Sequence, residues 1–110
     1  MDGYFHDLNE LGAQEMPGRR RRLVVGENVM LVHVEREAGT SQDHVHPQEQ
    51  LVHLLAGRAR FTVGGETREV GPGTVARIPP GVRHQMEALT PVTYLGIYSP
   101  PREEVIRGDA

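Results

Sequence analysis

The segment GTSQDHVHPQEQLVHLLAG, residues 39–57, decides how the rest of the chain is interpreted. It sets His44 and His46 one residue apart and places Gln50 four residues further on. In an extended strand, residues of equal parity point to one face, so these three side chains would converge while Glu49 points the other way. Imidazole nitrogens and an amide oxygen suit a divalent cation. The parity therefore favours Gln50 over Glu49 as a metal ligand.

A third histidine, His84, follows a Pro-Pro-Gly corner at residues 79–81. A lone buried histidine is usually a core residue, but three imidazoles and an amide at this spacing favour a metal site. The predicted ligands are His44, His46, Gln50 and His84. The ion is predicted to be divalent, and zinc, nickel, iron, manganese and copper stay open. His33 and His53 have the opposite parity and are predicted to be surface or subunit-contact residues.

Composition limits the classes of function. The 110 residues carry a net charge of -3 and have a pI near 6.0, which gives no general attraction to nucleic acid or to an anionic membrane. The run Arg19–Arg22 is predicted to be a solvated face or the start of a strand. Cysteine is absent, which excludes disulfides and thiolate chemistry. Without a membrane-spanning apolar run or a leader, a cytoplasmic protein of one domain is expected.

Glycine and proline separate short apolar runs along the chain, a texture typical of an all-β domain. About eight or nine strands are predicted, enough for a sandwich or a jelly-roll barrel. Residues 1–22 are predicted as an N-terminal arm and the entry to the first strand, 23–100 as the barrel, and 101–110 as a C-terminal tail. Two strands are predicted between residues 23 and 35, one in the ligand segment, and the others at 50–56, 58–63, 67–70, 74–78, 87–89 and 93–98.

Two spaced motifs resemble those of the cupin superfamily. The first motif has a glycine, His-x-His, a further ligand and a glycine, and is carried by Gly39, His44, His46, Gln50 and Gly57. The second motif, G-x5-P-x-G-x2-H, is carried by Gly73, Pro79, Gly81 and His84. The resemblance implies a single-domain cupin β-barrel of the jelly-roll, or double-stranded β-helix, type. It also implies that the last histidine reaches the same metal ion as the first two.

A closer resemblance lies in two short stretches. HPQEQ at residues 46–50 and YSPPRE at 98–103 are similar to parts of the small pectin-degradation cupins. Those proteins convert ring-form unsaturated monouronates into linear ketonic sugars. The resemblance implies that Tyr98 and Arg102 are catalytic residues lining a substrate pocket. Gly96 stands where that family tends to place a catalytic aspartate, so the proton-transfer group has no counterpart at this position.

Charge arithmetic also predicts a small anionic substrate. Three neutral imidazoles and a neutral amide leave the charge of a divalent ion uncompensated, and Arg102 could hold a carboxylate through two hydrogen bonds. The competing interpretations are an ion pair of Arg102 with Glu103 or Glu104, and plain core packing for Tyr98.

The leading hypothesis is a metal-dependent enzyme that acts on an unsaturated uronate or a keto acid by ring opening, tautomerisation or isomerisation. Three alternatives stay open: a cupin-type dioxygenase, an aromatic polyketide cyclase, and a non-enzymatic cupin that binds a small ligand. The apolar residues of the N-terminal arm and outward-facing strand residues predict a homodimer, in which strand edges are covered by exchange.

Overall fold

The computed structural model describes residues 3–110 and folds them into two antiparallel β-sheets that face each other. Met1 and Asp2, the first residues of the predicted arm, lie outside the described residues. The strands are β1 Gln14–Met16, β2 Arg19–Val25, β3 Met30–Arg36, β4 Ser41–His44, β5 Glu49–Ala56, β6 Ala59–Val63, β7 Glu66–Val70, β8 Val75–Ile78, β9 His84–Ala88 and β10 Val92–Ser99. A helix, α1, spans Glu103–Ile106.

The strand order confirms the predicted all-β jelly-roll fold. The first sheet has the order β1-β2-β3-β10-β5-β8, and the second has the order β4-β9-β6-β7. From β3 to β6 and from β7 to β10, each strand lies in the sheet opposite to that of the strand before it, as in a jelly roll. The ligand segment therefore crosses from one sheet to the other.

Every second side chain of the central strands points into the space between the sheets and fills it. In β5, Gln50, Val52 and Leu54 are buried while their neighbours face outward. In β10, the odd-even pattern buries Tyr94 and Tyr98 in the same way. Except for Gln50, these side chains join one apolar cluster that includes residues from both sheets. Because the side-chain period is two, a slip of one residue would turn this whole set toward water.

The N-terminal arm contains more regular structure than was predicted. A single 3-10 turn spans Leu8–Glu10, and the Asp7 side chain accepts a hydrogen bond from the backbone N–H of Asn9. β1 then pairs with β2, placing Glu15 opposite Arg20, whose charged groups are 3.7 Å apart. β1 has only three residues and no apolar alternation, so its pairing partner rather than its own pattern determines that it is a strand.

Strand β9 and the tail also differ from expectation. The strand predicted at 87–89 begins at His84, because its alternation of buried and exposed residues starts there. The tail contains α1, which packs Val105, 2% exposed, against the barrel. Tyr4 and Phe5 of the arm are each 96% exposed, and the homodimer stays a prediction. Within residues 3–110, no helix is both long and apolar enough to cross a membrane.

Gly57 makes the turn between β5 and β6 and cannot be replaced without strain. Its φ is +87°, and a Cβ added there would lie 2.1 Å from the carbonyl oxygen of Pro91. A side chain at this position would meet both a backbone clash and an unfavourable dihedral angle. Backbone geometry alone therefore explains why the last position of the first motif, Gly57, is a glycine.

Candidate metal centre

The predicted ligands come from three strands and one loop. His44 ends β4 and lies directly opposite His84, the first residue of β9. The chain then leaves regular structure, and His46 lies in the loop before β5. Gln50, the second residue of β5, is 2% exposed, whereas Glu49 is exposed. The choice of Gln50 over Glu49 agrees with the direction of the two side chains.

Residues 44–50 do not form the single extended strand that was predicted. The chain bends between His44 and Gln50, and the two residues belong to different sheets. Each side chain points inward because of the alternation within its own strand. The bend, which contains Pro47, carries the segment across the mouth of the barrel.

His46, His84 and Gln50 form the tightest part of the site. The ring centroids of His46 and His84 are 4.8 Å apart, and His46 Nε2 lies 3.0 Å from Gln50 Oε1. His44 stands further out, with its ring centroid 6.0 Å from that of His84. Among residues 3–110, no three His, Cys, Asp or Glu side chains stand close enough together to hold an ion by themselves. The four-residue ligand set therefore stays a prediction.

The hydrogen bonds of two imidazoles fit a metal ion. His46 Nδ1 lies 3.0 Å from the carbonyl oxygen of Gln48, and His84 Nδ1 lies 3.0 Å from that of Val82. A carbonyl oxygen only accepts, so His84 Nδ1 carries the proton and His84 Nε2 presents a lone pair, and the Nδ1-protonated form of His46 would present its Nε2 in the same way. Metal-binding histidines are usually held in this way, with the outer ring nitrogen donating to a carbonyl.

The hydrogen bonds around these two Nε2 atoms are incomplete. His84 Nε2 is buried and has no hydrogen-bond partner within residues 3–110. His46 Nε2 lies 3.0 Å from Gln50 Oε1, and because a neutral ring carries one proton, His46 cannot donate to both Gln50 Oε1 and the carbonyl oxygen of Gln48. A cation between His46 Nε2 and Gln50 Oε1 would replace this contact with two ligand bonds. The donor set of two imidazoles and an amide oxygen, with His44 beside them, therefore fits a divalent ion.

Electrostatics keep the three histidines neutral. Burial, followed by the charge of Arg102, lowers the pKa of His44 from 6.5 to about 4. The same two causes lower the pKa of His46, and burial is the main cause of the lowered pKa of His84. A neutral imidazole is the form that binds metal, so no proton has to leave at neutral pH.

Tyr98 and Arg102, the predicted catalytic residues, lie beside the histidines. The Tyr98 ring contacts that of His46, with centroids 5.4 Å apart, and the Arg102 guanidinium lies 5.3 Å from the centroid of the Tyr98 ring. Burial raises the pKa of Tyr98, so its hydroxyl keeps its proton. Arg102 is buried, and its Nε donates to Glu104 Oε1 at 2.8 Å. Arg102 therefore forms an ion pair with Glu104 and also lies near the site.

Gly96 faces inward between two residues of the site. A Cβ at this position would lie 3.3 Å from Gln50 Nε2 and 3.4 Å from Tyr98 Cε2. An acidic side chain here would enter the space beside both of them. The chain lacks that carboxylate, so Tyr98 is the nearest group in this part of β10 that could donate a proton.

The sequence did not single out several inward polar residues. Arg21, Arg36 and Tyr94 are all buried between the sheets. The arginines at 19–22 were predicted to lie on a solvated face or at the start of a strand, and the strand does begin there, but Arg21 points inward. His33 and His53 face away from the site, although His33 Nδ1 is enclosed and has no partner among residues 3–110.

A sequence model described as the cupin domain matches residues 30–98. This chain belongs to the cupin family. The match runs from the start of β3 into β10 and includes all four candidate ligands and Tyr98, while Arg102 lies beyond it. A relative from Streptomyces coelicolor, the uncharacterized protein SCO3923, is 36% identical over 67 residues, or 59% of this chain and 64% of that protein. The chain thus covers less than two thirds of that relative's length.

Solved structures show the same cupin fold. KdgF from Halomonas sp. is 25% identical to this chain and has a TM-score of 0.87, and the match covers 93% of this chain and 99% of that one. An RmlC-like cupin from Shewanella frigidimarina is 20% identical with a TM-score of 0.89, covering 94% of this chain and 96% of that one. The ectoine synthase from P. lautus is 19% identical with a TM-score of 0.86, covering 98% of this chain and 87% of that one. The last two likenesses concern the fold alone.

Proposed function

We propose that this cupin is a metal-dependent enzyme that acts on a small anionic sugar acid or keto acid. The reaction would be a ring opening, tautomerisation or isomerisation of an unsaturated uronate-like substrate. Cupins that resemble this chain typically bind metals, and KdgF, which shares the fold, supports a link to pectin breakdown.

One observation carries the proposal. The lone pair of His84 Nε2 is buried and has no hydrogen-bond partner among residues 3–110, and beside it His46 Nε2 and Gln50 Oε1 lie 3.0 Å apart. Buried polar atoms are nearly always satisfied, so atoms arranged in this way indicate a ligand that the protein itself does not supply. A bound divalent ion would polarise a carbonyl or hydroxyl oxygen of the substrate, or lower the pKa of a bound water.

The surrounding residues would bind and orient the substrate. Glu104 accepts from Arg102 Nε, which leaves the terminal nitrogens of the guanidinium to donate to a substrate carboxylate. Tyr98 keeps its proton because of burial and stands against His46, so its hydroxyl can donate to an oxygen of a substrate bound at the centre. In this proposal Tyr98 takes over proton donation, because Gly96 provides no acid.

The test begins with metal analysis of the purified protein, followed by assays with an unsaturated galacturonate monomer. The assay is run under nitrogen and then under air. Turnover under nitrogen that requires the bound metal would support the proposal. Oxygen consumption with a diketone or flavonol would instead support a cupin dioxygenase. Binding of a polyketide without either reaction would favour a cyclase or a binding protein and would contradict the uronate reaction.

A variant at Gly96 tests the proton-transfer step separately. Gly96→Asp would place a carboxyl group beside Gln50 and Tyr98, the position implied by the pectin-degradation cupins. If Tyr98 is the proton donor, Tyr98→Phe should lose most of the turnover, and combining it with Gly96→Asp should restore part of it. Equal turnover by Tyr98→Phe and the parent protein would exclude Tyr98 from the chemistry.

A further inference from the structure

Four arginines line one cavity inside the barrel, next to the candidate metal centre. Arg19 and Arg21 come from β2, Arg36 comes from β3, and Arg102 precedes α1. The strand register explains the grouping, because Arg19 lies directly opposite Arg36 and Arg21 is two residues further along the same face of β2. The cavity is also lined by His44, so it borders one residue of the predicted ligand set.

Three of these arginines have no acidic partner in the part of the chain that the structure describes. Arg36 donates from Nε to the Tyr94 hydroxyl at 3.2 Å and from Nη2 to Gln42 Oε1 at 2.7 Å. Arg21 donates from Nε to Gln14 Oε1 at 2.7 Å. These acceptors are all neutral. None of the ion pairs formed within residues 3–110 involves Arg19, Arg21 or Arg36.

Burial makes this grouping unfavourable unless a negative group joins it. Arg21 is 7% exposed and Arg36 is 5% exposed. Burial and the charge of Arg36 lower the pKa of Arg19, and burial and the charge of Arg19 lower the pKa of Arg21. Unpaired buried charges destabilise a fold by several kcal/mol in general, so proteins pair them. Like charges packed together add to this unfavourable energy.

One donor in the cavity is left without any acceptor. Arg21 Nη2 is buried and makes no hydrogen bond to residues 3–110. It belongs to a side chain that is more than nine-tenths buried and that lines the cavity. A guanidinium in this state is suited to an oxyanion, because its N–H groups are spaced to match two oxygens of a carboxylate or phosphate.

We propose that the part of this cavity lined by Arg19, Arg21 and Arg36 is a second anion-binding subsite, which takes a carboxylate or phosphate group of the substrate. The inference rests on the proposed function, in which a first carboxylate of the same substrate binds at Arg102 and the metal centre. A simple monouronate, which has one carboxylate, would occupy only the Arg102 end. A uronate-like acid that also carries a phosphate or a second carboxylate would occupy both ends and would be the preferred substrate.

Entry of such a group requires movement of one side chain. The cavity has a volume of about 20 Å³, which is room for a water-sized group. Arg19 is half-buried and is held by a contact from its Nε to the sulfur of Met16 at 3.4 Å. Sulfur is a weak acceptor, so Arg19 can swing toward solvent, admit an oxyanion and return to bind it.

The experiment measures anion binding without metal chemistry. Metal-free His84→Ala protein is titrated calorimetrically with malonate, inorganic phosphate and acetate, with chloride keeping the ionic strength constant. The same titrations are repeated after adding Arg19→Gln or Arg21→Gln. Arg20→Gln is the matched control, because Arg20 is the neighbouring arginine of β2 and is exposed on the opposite face. Melting temperatures are recorded for every variant with and without each anion.

Malonate or phosphate should bind at least about tenfold more tightly than acetate, because a dianion pairs with more than one arginine. Arg19→Gln and Arg21→Gln should each raise that Kd about tenfold or more, and Arg20→Gln should change it less than about twofold. In anion-free buffer, the melting temperatures of Arg19→Gln and Arg21→Gln should equal or exceed that of the His84→Ala protein. The anion should raise the melting temperature of the His84→Ala protein but not those of these two variants. A merely structural arginine would lower the melting temperature in both buffers.

The two anions identify the chemical class of the second group. Tighter binding of malonate favours a dicarboxylate, and tighter binding of phosphate favours a phosphorylated acid; both support the subsite. Absence of binding of either dianion by the His84→Ala protein would overturn it, as would equal weakening by Arg20→Gln. Since this protein lacks one metal ligand, anion binding by it would support the subsite even if the parent protein proved to hold no metal.

Discussion

The barrel interior has an apolar half and an arginine half, built from the same alternating strands. The apolar half lies around β5, β6 and β9, where Val52, Leu54, Phe61 and Met86 enclose a gap of only about 20 Å³. In the arginine half, around β2 and β3, the inward positions include Arg19, Arg21 and Arg36, which form no ion pair with the acidic residues described between 3 and 110. Apolar burial accounts for the stability of the first half. In the second half the buried like charges oppose folding, and the proposed anion subsite would offset that energy.

The largest expected effect lies in the apolar half. Phe61→Ala removes a ring that is 7% exposed and packs in the core cluster. The free energy of unfolding should fall by about 3–5 kcal/mol, because the lost burial is joined by the energy of the cavity left behind. Urea unfolding monitored by circular dichroism measures this loss. A loss below about 1 kcal/mol would mean that the apolar half is not the stabilising one.

The next effect concerns metal binding at the boundary of the two halves. His84→Ala removes the Nε2 atom that is buried without a partner, so metal affinity should fall about 100-fold or more. Competition with a chromogenic chelator gives the affinity. His53→Ala, on the outward face of β5, is the control and should keep the parent affinity. Full metal retention by His84→Ala would show that the ligand set is wrong.

A smaller effect is expected for the arginine shared by both sites. Arg102→Lys keeps the charge but loses the planar pair of donors, so KM for a carboxylate substrate should rise about tenfold with a smaller change in kcat. Arg102→Ala should raise KM further. Steady-state kinetics at fixed salt provide both constants. An unchanged KM in Arg102→Ala would leave the Glu104 ion pair as the role of this side chain.

The smallest effect should come from the arginine half itself. Arg36→Met replaces a buried cation with an apolar chain of similar length, leaving the Tyr94 hydroxyl and Gln42 Oε1 without their present contacts. Removal of the unpaired charge and loss of these hydrogen bonds oppose each other, so the free energy of unfolding should change by less than about 1 kcal/mol. Denaturant unfolding without added anions checks this. A loss as large as that of Phe61→Ala would erase the contrast between the halves.

The apolar half was predictable from the sequence, and the arginine half was not. In β6, Ala59 and Phe61 alternate with Arg60, so the inward face follows from the pattern. In β2, four arginines precede three apolar residues, and no alternation tells which arginines point inward. The register between β2 and β3, which pairs Arg19 with Arg36, determines which arginine side chains point inward. These two residues are distant in sequence.

The prediction of the four ligands rested on a reason that holds only in part. Spacing and family motifs placed His44, His46, Gln50 and His84 near one point, and the structure brings three of them together. The predicted continuous strand does not exist, because the segment bends at Pro47 and changes sheets. Residue spacing can identify a shared site, but the path of the chain between its members depends on the whole barrel.

The crossing of the ligand segment between sheets has a mechanical consequence. His44 and His84 belong to the second sheet and Gln50 belongs to the first, so an ion bound by all three would connect the two sheets. Separation of the layers at that rim would then require breaking coordination bonds. Amide hydrogen exchange along β4 and the start of β5 should slow together when the ion binds, while the far rim, near Gly57, keeps its own exchange rate.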